Sequence, residues 1–192
     1  MRNALYFFLA NASFSHKGFE ASLSSFELPF RLHFDSDRSG TLLAPLELGT
    51  YLSTSLFTIH DDLGATVTLL EAPKDSPLLR KLLPEALSYF PNQVVALSDV
   101  LAKEMSFGNF GSIPLLANEF KDVPHDLLLT AGAFLRANLN ASLTAEILYI
   151  HRNTFNYRLN AFIEKTGLDI REYHNALLLE FYFQFCAQGR GN

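Results

Sequence analysis

The stretch HRNTFNYRLN at residues 151–160 concentrates side chains that can hydrogen-bond to nucleic acid. An arginine can form two hydrogen bonds to the edge of a guanine, and an asparagine can do the same with an adenine. Hydroxyls and backbone N–H groups at the start of a helix can bind phosphate. The candidate DNA-binding residues are therefore His151, Arg152, Asn153, Thr154, Asn156, Tyr157, Arg158 and Asn160.

The same stretch has the apolar spacing of a helix that packs along one side. Phe155, Leu159 and Phe162 recur at i, i+4 and i+7, so we expect them to face a core. His151 then stands at the N-cap position, and the polar side chains lie outside. On spacing alone, an ordinary helical hairpin with a solvated polar face is an equally good interpretation.

A shorter helix is expected just before this one. Ala145 and Leu148 lie three residues apart and so share one face, and a small residue such as Ala145 lets a second helix cross closely. Ile150 is predicted to fill the corner between the two helices. Tyr149 precedes it at a place where many helix-turn-helix corners carry Gly, and a bulky residue would be strained by a positive φ there.

The distribution of charge favours this region over the rest of the chain for contact with phosphates. Residues 1–125 hold nine Lys or Arg against fourteen Asp or Glu, whereas residues 126–192 hold six of each. Within residues 142–160 the only charged side chains are Arg152, Arg158 and Glu146. The net charge of −5 argues against general binding to nucleic acid, but acid is depleted where the candidate contacts lie.

The sequence offers little for catalysis, and we expect neither an enzyme nor a bound metal or cofactor. The motifs GxSxG, GxGxxG, HExxH and the P-loop are absent, and the six histidines lack metal-ligand spacing. His60, Asp61 and Asp62 precede Gly64 and are better explained as the end of a helix. DSDRSG (35–40) imitates an EF-hand loop, but Leu46 occupies the position that needs a bidentate Glu, so a hairpin turn is predicted.

The elements expected around this stretch define an α+β chain, with a small α/β sheet domain followed by an all-α domain. Strands are predicted at 4–10, 30–34, 41–48, 65–70 and 93–97. Helices are predicted at 19–26, 50–60, 76–90 and from 98, with Pro84 kinking or dividing the third and Ser98 or Asp99 capping the fourth. Residues 106–124 are interpreted as a joint, and further helices are expected at 125–139, 142–149, 152–165 and 171–187.

Three features bear on the compartment of the protein. The apolar run 4–10 is too short for a typical signal peptide and is predicted to be a strand. No run reaches the roughly 20 apolar residues of a membrane-spanning helix. The single cysteine, Cys186, excludes an internal disulfide and is expected to be a buried, inert thiol. Together they predict a reduced, cytoplasmic protein that does not bind a membrane.

The run TAEILYIHRNTFNYRL (144–159) resembles the C-terminal helix-turn-helix of the PucR/CdaR family of bacterial transcription regulators. The matching residues are Ile150, His151, Arg152, Asn153, Thr154, Tyr157, Arg158 and Leu159. The resemblance extends over 125–187 and implies a sequence-specific DNA-binding regulator, with a recognition helix at about 152–165 in the major groove of double-stranded DNA. It predicts a PucR-type domain at 113–192 and an α/β domain at 1–112, which is similar to a shortened, degenerate GGDEF-like domain.

The expected mode of action includes a homodimer, because one recognition helix contributes too little energy to select a site in a genome. The apolar helix that ends the chain (171–187) is expected to be buried in its own domain or at a subunit interface. The resemblance leaves room for a small-molecule effector whose identity the sequence does not give. The alternative function is a ligand- or protein-binding module that keeps the helix-turn-helix as a scaffold without binding DNA.

Overall fold

The computed structural model describes residues 3–187, which form two compact units divided after Gly108. The first unit contains a sheet and helices, and the described part of the second contains helices only. The predicted fold class, an α/β sheet domain followed by an all-α domain, is confirmed. The outermost ends of the two predicted domains, residues 1–2 and 188–192, lie outside the described residues.

The first unit alternates strands and helices along the chain. Its strands are β1 (Asn3–Ala10), β2 (Arg31–Phe34), β3 (Ser39–Pro45), β4 (Val67–Glu71) and β5 (Val94–Ala96). Its helices are α1 (His16–Ser24), α2 (Leu46–Leu63), α3 (Pro77–Tyr89) and α4 (Leu97–Ser106). The strands form one sheet in the order β2-β3-β1-β4-β5, antiparallel except for the β4–β5 pair.

Two glycines of the first unit make room for large aromatic side chains of β1. Phe8 of β1 lies opposite Gly40 of β3, and a Cβ on Gly40 would lie 2.6 Å from the Phe8 ring and 2.0 Å from the His33 carbonyl oxygen. Tyr6 is buried with its hydroxyl above Gly49 of α2, at a point where a Cβ would lie only 2.0 Å from it. Burial raises the pKa of the Tyr6 hydroxyl, with a smaller contribution from Glu71. Glycine is therefore required at both positions by close approach.

Three details of the first unit differ from the sequence prediction. Residues 46–48 begin α2 instead of continuing β3, because the chain leaves the sheet at Pro45 and Leu48 turns into the core. The N-cap of α4 is Ala96, and Asp99 accepts a hydrogen bond from the Ala96 N–H at 2.8 Å from inside the first turn. Helix α3 is not divided, and Pro84 lies within it.

The second unit consists of α5 (Ile113–Glu119), α6 (His125–Arg136), α7 (Ala141–Ile147), α8 (Arg152–Thr166) and α9 (Tyr173–Phe185). Helix α5 lies inside the segment interpreted as a joint, so that interpretation was wrong for residues 113–119. Its Gly, Asn and Pro neighbours suggested a linker, yet Leu116 and Phe120 are buried and make the segment part of the core. Among residues 3–187, no helix is long and apolar enough to cross a membrane.

Candidate nucleic-acid interface

The corner between α7 and α8 is built from residues 148–151. The Leu148 N–H bonds to the Thr144 carbonyl at 3.0 Å, and the Ile150 N–H reaches back to the Ala145 carbonyl at 3.0 Å, which closes the end of α7. Tyr149 between them has φ 53°, the left-handed conformation that the sequence predicted to be unfavourable for a bulky residue. Its side chain is 97% exposed and therefore gains no packing in return.

Both helices of the corner begin at side-chain caps. His151 is the N-cap of α8, as predicted, and its Nδ1 accepts a hydrogen bond from the Asn153 N–H at 3.2 Å. Asn140 caps α7 by accepting from the N–H groups of Ser142 and Leu143, each at 3.1 Å. These caps satisfy donors that a helix start leaves unpaired, so the corner has a defined geometry.

The inner face of α8 is packed as the spacing predicted. Phe155, Leu159 and Phe162 are buried, and the Phe155 ring lies 5.2 Å from the ring of Phe134 in α6. Phe162 lies 6.4 Å from Phe120 in a stacked arrangement. Burying side chains of this size contributes about 1.5–3 kcal/mol each, so α8 is fixed about its own axis by this stripe.

The outer face of α8 carries Arg152, Asn153, Asn156, Tyr157 and Asn160, which we call the polar face. All five residues are exposed, and Tyr157 is 73% exposed. Within residues 3–187, no hydrogen bond or ion pair engages any of these five side chains. Their donors and acceptors therefore face solvent and are available to an external partner.

Arg158 is placed differently from the other predicted contact residues. Its Nε lies 3.5 Å from Oδ2 of Asp126 at the start of α6, and its side chain is only 27% exposed. The guanidinium is thus directed along the flank of α8 toward α6. No local sequence pattern indicated this pair, because Asp126 and Arg158 belong to helices that meet only through tertiary packing.

The connection from α8 to α9 is held by a second charged pair. Gly167 ends α8 in the left-handed conformation with φ 74°. Arg171 donates from Nε and from its terminal nitrogen to the two oxygens of Asp169, at 2.8 and 2.6 Å. This bidentate hydrogen bonding raises the pKa of Arg171 above its ordinary value. The pair fixes the chain direction between the two helices.

Helix α9 is only partly covered. Leu178, Leu179 and Tyr182 are buried, whereas Phe185 is 44% exposed. A groove of about 420 Å³ runs along the helix and is lined by Leu135, Asn138, Leu139, Tyr173, Ala176, Leu177 and Glu180. The last helix is therefore buried in its own domain on one side only, where it packs on α5 and α6, and its other side stays open.

The remaining chemical candidates are structural. His60 lies in the last turn of α2, which Gly64 ends with φ 65°. Residues 35–38 of DSDRSG form the turn between β2 and β3, and the last two residues begin β3. Cys186 is half-buried, not fully buried as predicted, with Sγ 3.6 Å from the Ile113 carbonyl oxygen. Residues 3–187 contain no group of three or more His, Cys, Asp or Glu that could hold a metal ion.

Two short helices joined by a tight corner, packed against α6 and exposing the second helix, define a helix-turn-helix protein. Residues 127–184 match the family described as the PucR C-terminal helix-turn-helix domain. The chain therefore carries a PucR-type helix-turn-helix domain, and the resemblance expected from the sequence is confirmed for this segment.

Two bacterial proteins share sequence with the chain. The carbohydrate diacid regulator of Escherichia coli (strain K12) is 33% identical over 102 residues, which cover 52% of this chain and 26% of that protein. The uncharacterized protein YxkF of Bacillus subtilis (strain 168) is 45% identical over 56 residues, covering 29% of this chain and 19% of that protein. The chain thus spans about a quarter or less of the relatives it matches.

A crystal structure of the regulator of polyketide synthase expression from Bifidobacterium adolescentis aligns with the whole chain and with 83% of its own chain. The identity is 17% and the TM-score is 0.47. A score of this size does not establish a common fold for the two chains.

Proposed function

We propose that the protein is a sequence-specific DNA-binding transcriptional regulator that inserts α8 into the major groove. The observation that carries the proposal is the polar face of α8, whose five side chains are exposed and make no bond within the described residues while the opposite face is buried. A helix held in this way can approach base edges without disturbing the core of its own domain. The PucR-type match and the relation to a carbohydrate diacid regulator support the same function.

The residues take different roles in this proposal. Arg152, Asn153, Asn156 and Asn160 contact base edges, and Tyr157 lies beside them. His151 and Thr154, both exposed at the start of α8, lie where phosphate contacts are usual. Arg158 lies on the flank of α8 beside Asp126, and its N–H groups that do not face that carboxylate are proposed to be directed to a phosphate.

A homodimer is part of the proposal. A good bidentate base contact contributes about 1–3 kcal/mol of discrimination, so one helix cannot select a site among the competing sequences of a genome. Two copies reading half-sites about 34 Å apart would multiply that selectivity. The open side of α9 offers apolar surface, including Phe185, that is consistent with association.

The rest of the chain is proposed to serve regulation and not catalysis. Residues 1–112 would form an α/β regulatory domain, with similarity to a degenerate GGDEF-like domain, and residues 113–192 the DNA-binding domain. A small-molecule effector would act through the first of these domains. The setting expected for such a regulator is the cytoplasm, where the chromosome lies.

The experiment is a selection of bound duplexes from a random double-stranded pool, using the purified chain at low ionic strength. Enrichment of a shared sequence, with twofold symmetry if a dimer binds, is the expected result. The alternative function, a binding module with the helix-turn-helix as scaffold, requires a polar face that is covered or neutral, and the exposure of Arg152 speaks against it. Failure of folded protein to retain any duplex would refute DNA binding and favour the scaffold function.

A further inference from the structure

Three of the side chains on the polar face carry the same chemical group. Asn153, Asn156 and Asn160 are exposed carboxamides, each with one acceptor oxygen and a donor NH₂ group. At about 100° per residue, they lie within about 60° of one another around the helix axis. The three amides therefore point in nearly the same direction and can enter a groove together.

The spacing of these amides along the helix corresponds to about one to two base-pair steps of DNA. With a rise of about 1.5 Å per residue, Asn153 and Asn156 are about 4.5 Å apart along the axis, and Asn156 and Asn160 about 6 Å. Base pairs follow one another at about 3.4 Å along DNA. The whole set spans about 10.5 Å, which corresponds to three or four consecutive base pairs.

The amides and the side chains beside them favour contact with A·T base pairs. An adenine presents N7 as acceptor and N6 as donor, which a carboxamide matches with two hydrogen bonds, whereas guanine presents two acceptors there. Tyr157 exposes an aromatic ring on the same side, suited to contact with the methyl group of a thymine. Arg152, at the N-terminal end, is the only guanidinium on the polar face and suits a single guanine.

The C-terminal part of α8 limits how much of the helix can contact DNA. Glu164 is exposed and follows Asn160 by one helical turn, on the side that carries the amides. A carboxylate is repelled by the phosphate-rich groove walls, and recognition helices usually contact bases through their N-terminal residues. The contact is thereby restricted to residues 152–160.

We infer that each half-site contains three A·T pairs within a stretch of about four base pairs, read by Asn153, Asn156 and Asn160, with one guanine beside it that is read by Arg152. The inference rests on the proposed function, because it requires α8 to enter the major groove. It adds the base composition of the site and assigns the discrimination to particular amides.

The first test compares duplexes selected by the wild-type chain with those selected by Asn153→Ala, Asn156→Ala and Asn160→Ala. Each variant is expected to lose its adenine preference at one position, where the affinity ratio falls by about 5- to 150-fold, as expected for one bidentate contact. Asn156→Gln keeps the donor and acceptor and should restore part of the preference. Asn118→Ala removes an exposed amide from α5 in the same unit and should leave the selected sequence unchanged.

The second test replaces single adenines in the selected duplex by 7-deazaadenine, which lacks the N7 acceptor. Binding of the wild-type chain should weaken at the position that Asn156 reads, and binding of Asn156→Ala should not weaken further there. This non-additivity distinguishes a base contact from a general loss of stability, which melting temperatures of the variants check independently.

The outcomes separate this inference from the function on which it rests. Specific binding to half-sites with G·C pairs at these positions overturns the adenine readout while DNA binding stands. Uniform weakening of all sequences by the Asn→Ala variants overturns it as well, because phosphate contacts would give that result. Failure to bind any duplex removes the proposed function and the inference together.

Discussion

The guanidinium of Arg158 is held by Asp126, with 3.5 Å between Nε and Oδ2, and this pair joins the middle of α8 to the start of α6. The two side chains are partly exposed, so the pair contributes no more than about 1 kcal/mol to stability. The pair has a larger effect on where the Arg158 guanidinium points, because it keeps this positive charge at the flank of α8 with the negative charge of Asp126 next to it.

Asp126→Asn is therefore expected to raise DNA affinity several-fold at low salt, since it removes a carboxylate near the proposed interface and releases Arg158 toward phosphate. The free energy of unfolding should fall by less than about 1 kcal/mol. Titration of a labelled duplex measures the affinity. Asp122→Asn removes the same charge from an exposed site that lacks this pairing, so an equal gain in that variant would contradict a role for the pair.

Arg152→Ala is expected to weaken specific binding by about 10- to 100-fold, the effect of losing one base contact of about 1–3 kcal/mol. Its side chain is exposed and makes no bond within the described residues, so the melting temperature should not change. Lys121→Ala deletes an exposed positive charge elsewhere in the unit and serves as the control. Operator affinity that is unaffected by Arg152→Ala at matched salt would remove this residue from the interface.

The salt dependence of binding should be moderate. Arg152 is the only cation of the polar face, with Arg158 paired on the flank and Lys165 in the last turn of α8. Arg152 and Arg158, counted in each of two subunits, would neutralise about four phosphates, so log K should fall with log salt at a slope of about −4 or shallower. Affinities measured between 50 and 200 mM salt, roughly the range over which such slopes are usually taken, provide the test. A slope near −10 would show that other cations dominate.

Tyr149→Gly is expected to stabilise the second unit. A non-glycine residue in the left-handed conformation costs about 1–2 kcal/mol, and the exposed ring has no packing to lose. The greater freedom of glycine in the unfolded chain reduces the gain to roughly 1 kcal/mol. Thermal unfolding measures it. The matched change Tyr157→Gly, inside α8, should instead destabilise by about 1 kcal/mol, and equal effects of the two changes would contradict the strain at the corner.

Gly40→Ala should destabilise the first unit by about 3 kcal/mol, because the new methyl would collide with the His33 carbonyl oxygen, which belongs to the backbone and cannot rotate away. Gly111→Ala, whose Cβ would approach only the Asn109 side chain at 3.2 Å, is the comparison. Denaturant unfolding reports both. A Gly40→Ala protein as stable as the wild type would show that β2 and β3 can separate without cost.

The sequence predicted α8 well because three buried residues at i, i+4 and i+7 leave little choice of orientation. His151 was identified as a cap for the same reason, since the helix had to begin next to it. Helix α5 was missed because Gly, Asn and Pro surround a short apolar run, and only contact with Phe162 and Tyr182 shows why Phe120 is buried. The local sequence pattern determines which face of a helix is buried. It does not determine which distant helix packs against that face.

The candidate interface also combines features that the local sequence predicts with features that depend on tertiary packing. The exposure of Arg152 and the asparagines followed from the phase of α8, whereas the pairing of Arg158 depends on a helix crossing that no local spacing encodes. The sequence indicated that a positive φ would strain Tyr149, but the φ of 53° that it takes depends on how the corner between α7 and α8 closes. Which of the exposed residues contact DNA remains a prediction.

The buried position of Phe120 determines where the second unit can be cut when it is fused to another protein. Its ring lies 4.6 Å from Tyr182, beneath α9, although it precedes the family match that starts at residue 127. A fragment cut at that match would lose Phe120 together with α5 and the buried Leu116 and Val123, and the loss of the Phe120 ring alone costs about 3–5 kcal/mol. A chimaera that joins this unit to a different domain should therefore be spliced upstream of Ile113.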